Sequence, residues 1–95
     1  MDHSSIFHRL KRILVSDFAK DEALVTPAAT LRGTLMMDSL DLVDLVFFLQ
    51  REFQLDDAGL RIEALRDVRS IDALVTVISA RAQRAPKHGA AAAVA

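Results

Sequence analysis

The chain has no cysteine, tryptophan or tyrosine among its 95 residues. Without cysteine there can be no disulfide, thiolate metal ligand or cysteine nucleophile. Two prolines, three glycines and phenylalanine as the only aromatic residue leave few turn and strand signals. No apolar run approaches the roughly 20 residues of a transmembrane helix. Met1-Asp2-His3-Ser4 lacks the basic-then-apolar order of a signal peptide. Neither sign of charge dominates: twelve Lys and Arg oppose thirteen Asp and Glu, for a formal net charge of −1. Such a balance argues against a general nucleic-acid binder, which shows a basic excess or stripe. What the chain does have is 52% hydrophobic residues, more than a disordered chain carries. Its length suits one domain with a modest core. A small, soluble, cytoplasmic all-α domain is the expectation.

Periodicity divides the chain into helices. Ile6, Phe7, Leu10, Ile13, Leu14 and Phe18 recur at spacings of three and four, predicting an amphipathic helix capped by Ser4 or Ser5 and ending near Lys20. A long connection follows, from about Asp21 to Met37, broken by Thr26-Pro27 and Gly33. Loops of this length are uncommon in compact domains and are often functional. Leu24, Val25, Leu31 and Leu35 are expected to tuck inward and pin it. From Asp38 to Phe53 the helical pattern returns with two apolar sides. At 100° per residue, Leu42, Leu45, Val46, Leu49 and Phe53 form a core stripe. Leu40, Val43 and Phe47 fall nearly opposite, beside Asp44 and Arg51, and Phe48 lies off the core stripe as well. A helix with two apolar faces in so small a domain is either central or meets a partner.

Asp56-Asp57-Ala58-Gly59 reads as a turn with helix-start chemistry, and Leu60, Ile62 and Leu65 predict a short third helix. Ser70 can cap a last helix whose core stripe is Ile71, Leu74, Val75 and Ile78. Beyond it, residues 86–95 read as a disordered tail. The architecture predicted is a four-helix bundle of three longer helices and one short one, with a long first loop. Charge is concentrated within it. Residues 35–57 hold six acids and one base, a patch able to steer a cationic partner despite the near-neutral total.

Asp38-Ser39-Leu40-Asp41 opens the second helix, where free amides and the helix dipole favour negative charge. A serine hydroxyl there is a suitable attachment point for a phosphate-linked group, and Asp-Ser before an apolar run is equally an ordinary capping pair. No catalytic set accompanies it. His3, His8 and His88 are scattered, metal-ligand spacings are missing, and there is no glycine-rich phosphate loop.

The longer stretch Asp38-Ser39-Leu40-Asp41-Leu42-Val43-Asp44-Leu45-Val46, ending in Glu52-Phe53, resembles the attachment signature of the acyl carrier protein family. The predicted helix order resembles that family too, over residues 5–82. The resemblance implies an acyl-carrier-like bundle that is not an enzyme. It implies that Ser39, with Asp38 beside it, accepts 4′-phosphopantetheine from coenzyme A through a phosphodiester. The arm's thiol would carry acyl cargo as thioesters. Implied partners are a phosphopantetheinyl transferase, then a ketosynthase and other acyl-processing enzymes of fatty-acid or polyketide type. They would meet Leu40, Asp41, Val43, Asp44 and Phe47 on a monomeric carrier.

The sequence departs from the family pattern in three places. Family members commonly have Leu-Gly before the Asp-Ser step, where this chain has Leu35 followed by Met36-Met37; these methionines are either adaptable contact surface or loop packing. Gln50-Arg51-Glu52 puts a cation where fatty-acid carriers usually run glutamates. Phe47 and Phe48 add aromatic contacts, although Phe48 can also pack under the long loop. These departures suit a specialised pathway, such as a polyketide, an aryl polyene or a modified lipid. Competing readings are a peptidyl or aminoacyl carrier and an unmodified helical interaction module, with an enzyme the weakest.

Overall fold

The computed structural model describes residues 2–56 and 60–94, with side chains described as far as Ala82. Among these residues there are four α-helices and no strand: α1 His3–Ser16, α2 Ser39–Phe53, α3 Ile62–Asp67 and α4 Ile71–Val94. A 3₁₀ turn, Glu22–Leu24, interrupts the α1–α2 connection.

α1 buries Ile6, Leu10, Ile13 and Leu14, the expected face. It begins earlier than Ser4 or Ser5 would place it. Asp2 is the cap, its carboxylate accepting from the Ser5 amide at 2.8 Å. That bond holds the Asp2 carboxyl below its ordinary pKa. A charged cap at the positive end of a helix outcompetes a hydroxyl one turn inside. α1 also stops short of Lys20. Ala19 turns left-handed (φ 56°), and the Lys20 amide folds back to donate to the Leu14 carbonyl at 3.0 Å, which closes the end of the helix. Phe18 therefore leaves the helix and meets Phe48 edge to face, with ring centroids 5.4 Å apart.

The long connection is pinned by Val25, Ala29, Leu31, Leu35 and Met37, all buried. Leu24 is not; it is 46% exposed, against expectation. A 3₁₀ turn rotates about 120° per residue, so neighbours point apart, and Val25 takes the inward place. At Gly33 any Cβ would lie 2.6 Å from Thr30 Oγ1. That oxygen already accepts from the Thr34 amide at 2.9 Å, so the turn has room only for glycine. The loop also completes α4. The Pro27 and Ala29 carbonyls accept from the amides of Asp72 (2.9 Å) and Ile71 (2.8 Å), and Ser70 Oγ accepts from the Ala73 amide at 3.0 Å.

α2 buries all five residues of its core stripe. α1 lies mainly against α4, and α2 against α3. Glu52 joins α2 to α1 through Arg9 and Arg12, each at 3.5 Å, and the Arg9 guanidinium stands 5.7 Å over the Phe53 ring. Arg12 is exposed and Arg9 and Glu52 are half-buried, so these partly solvated ion pairs contribute little beside the apolar core. α3 begins at Ile62 behind Arg61, which offers no capping side chain. The Asp57-Ala58-Gly59 part of the predicted start lies outside the described residues. Over 86–94, read from the sequence as a tail, the backbone is helical as part of α4; alanine, the strongest helix former, occupies positions 90–93. Ala95 lies outside the described residues.

Candidate functional site

The site begins at the entrance to α2, where capping and exposure are divided between neighbours. Asp38 adopts extended backbone, and its carboxylate accepts from the Asp41 amide at 2.9 Å. Asp41 answers by accepting from the Asp38 amide at 3.2 Å. This reciprocal capping box satisfies two otherwise free donors. It also means that Ser39 is not needed as a cap. The Ser39 side chain is exposed, and its hydroxyl has no hydrogen-bond partner among the described residues. The capping reading of the pair therefore holds for Asp38 with Asp41, and it leaves Ser39 exposed.

The residues expected beside Ser39 line the outward side of α2. Leu40 is 75% exposed, Phe47 61% and Val43 39%; Asp44 is exposed and Asp41 half-buried. Arg51 is exposed at the far end of the same face. Phe48 departs from this group, being half-buried on Phe18 as loop packing.

One feature of the site was not predicted from the sequence. A groove of about 380 Å³ runs between α2 and α3, with Val43 and Phe47 on one wall and Leu60 and Ile62 on the other. Gln50 fastens its floor, donating from Nε2 to the Leu60 carbonyl at 2.9 Å. The apolar residues of α3 were the available signal, but six residues are too few for a two-sided pattern to show. Of the two methionines expected as contact surface or loop packing, Met36 is 79% exposed, with φ of 55°. Left-handed backbone costs a residue with a side chain about 1–2 kcal/mol. Leu35 and Met37 on either side are buried, and their amides donate to the carbonyls of Thr30 (3.0 Å) and Leu31 (2.9 Å). Anchored on both sides, the backbone forces Met36 outward. One methionine is thus loop packing and the other is surface.

No family model matches the chain. Curated relatives do. Over 63 residues it is 40% identical to an acyl carrier protein of Saccharopolyspora erythraea, covering 66% of this chain and 61% of that relative's length. Over 56 residues it is 38% identical to an acyl carrier protein of Rubrobacter xylanophilus, covering 59% and 69% respectively. Against an acyl carrier protein of Thermotoga maritima the identity is 43% over 68 residues, or 68% of this chain and 84% of the relative. The chain belongs to the acyl carrier protein family.

Membership makes it a carrier rather than an enzyme and gives the departures a structural meaning. Met36 stands where the acyl carrier pattern commonly has glycine, and its backbone is in the left-handed conformation that glycine adopts freely. Arg51 places a cation on the outward face one turn beyond Phe47. The acidic part of that face is thereby confined to its Ser39 end, at Asp38, Asp41 and Asp44.

Proposed function

We propose that this chain carries acyl groups on a 4′-phosphopantetheine arm joined to Ser39 Oγ. The observation that carries the reading is the free, exposed hydroxyl at the start of α2, within Asp38-Ser39-Leu40 of an acyl carrier family member. The residues fit the group. Capping is completed by Asp38 and Asp41, so esterifying Ser39 breaks no native hydrogen bond, and a phosphate there meets the positive end of the helix dipole. In the attachment, Ser39 Oγ bonds to the β-phosphorus of coenzyme A, its proton passes to the transferase, and 3′,5′-adenosine bisphosphate leaves. When bound, the arm supplies a thiol that holds cargo as a thioester.

Asp38, Asp41 and Asp44 would attract basic docking surfaces on the transferase, a ketosynthase and other acyl-processing enzymes. Leu40, Val43 and Phe47 would provide the apolar contact. Met36, Phe47 and Arg51 support dedicated partners of a specialised polyketide or modified-lipid pathway. We place this work in the cytoplasm, with the carrier as a monomer.

Incubation with coenzyme A and a broad-specificity phosphopantetheinyl transferase is expected to add one phosphopantetheine to the intact mass. Ser4, Ser5, Ser16, Ser70 and Ser79 lack the Asp-Ser-Leu context, so Ser39→Ala should abolish the addition. Its helical circular dichroism should be unchanged, because the lost hydroxyl holds nothing in place. Labelling of the Ala variant would refute the assignment.

A further inference from the structure

Met36 combines left-handed backbone, 79% exposure and a position three residues before Ser39; the anchoring of Leu35 and Met37 turns it outward but does not call for a large apolar side chain there. Its side chain fills no part of the core. A strained residue that persists without a packing role points to function. We infer that Met36 is a recognition residue for the transferase that modifies Ser39, its side chain seating in an apolar pocket of that enzyme.

This inference rests on the carrier reading and deepens it by naming a specificity residue. The choice of occupant follows from reach. An enzyme acting on the thiol at the end of a long, flexible arm can stand away from the attachment point. The transferase must bring its own active site to Ser39 Oγ, where Met36 and Leu40 are the most exposed large apolar side chains. Charge narrows the partner further. With Asp38, Asp41 and Asp44 close by, the pocket is rimmed by cations. Methionine suits such a contact, being unbranched and polarizable.

The test uses the full-length chain with coenzyme A and a broad-specificity phosphopantetheinyl transferase. Modification is followed by intact mass, and stability by thermal unfolding. Met36→Gly and Met36→Ala are each expected to lower kcat/KM about tenfold, mainly through KM, equivalent to about 1.4 kcal/mol of lost contact. Met36→Leu, still apolar and of similar size, should recover most of that loss. Met36→Gly should at the same time raise Tm by several degrees, about 4–8 °C, because the left-handed strain is relieved. A gain in stability joined to a loss of modification is the distinguishing signature. Met36→Gly and Met36→Ala modified as fast as the wild type would overturn the inference and leave the carrier reading standing. A wild-type chain that gains no mass overturns both.

Discussion

Leu49→Ala is expected to lower the melting temperature by at least about 10 °C. Leu49 is fully buried at the middle of the α2 stripe, in one apolar cluster with Leu10 and Leu14 of α1, Leu65 of α3 and Leu74 of α4. Truncating such a side chain removes its transfer energy and leaves a cavity, typically about 2–5 kcal/mol in all. Domains of this kind have only about 5–15 kcal/mol of total stability. The cavity cannot close cheaply, because Leu49 is enclosed by residues of all four helices and Gln50 fastens the same turn of α2 to Leu60. Thermal unfolding followed by circular dichroism measures the effect. An unchanged melting curve would mean that α2 is rotated and Leu49 faces water.

Which parts of this fold can be read from sequence depends on the range of the interactions that set them. α2 is legible because two apolar stripes on one helix leave a double pattern at 100° per residue, and both stripes lie where that pattern puts them. Ser70 as the α4 cap is legible for a similar local reason. The ends of α1 are not: two serines compete there with Asp2, and Ala19 carries no mark of a left-handed turn. Leu24 is misread because hydrophobicity cannot tell which of two neighbours a 3₁₀ turn points inward. The Arg9–Glu52–Arg12 tie joins residues some forty positions apart, beyond any local pattern. At the site, Asp38-Ser39-Leu40 is legible as the start of α2. The division of labour between a capping Asp38 and a free Ser39 needs coordinates, and so does the groove facing α3. Met36 is half legible. A missing glycine shows in the sequence, but only the backbone shows that Met36 is left-handed.

Phe47→Ala and Asp44→Lys are expected to impair transfer to partner enzymes while leaving stability nearly unchanged. Phe47 is 61% exposed and Asp44 exposed, so neither substitution opens a core cavity. Surface changes of this kind usually stay within about 0.5 kcal/mol of wild type. At an interface the balance differs. An exposed aromatic side chain that becomes a central anchor contributes about 2 kcal/mol or more, so Phe47→Ala should lower kcat/KM for modification by roughly thirtyfold. Asp44→Lys should act mainly on association. It turns attraction for a cationic surface into repulsion, and its penalty should shrink as salt rises and screening shortens the range of the field. Phe47→Ala should lose the same factor at every ionic strength, since an apolar contact carries no charge to screen. Modification rates at low and high salt, with melting temperatures for Phe47→Ala, Asp44→Lys and Leu49→Ala, separate these cases. Leu49→Ala should cost stability first and modify normally while folded. If Phe47→Ala destabilises the chain as much as Leu49→Ala does, Phe47 belongs to the core and the outward face of α2 is not a docking surface.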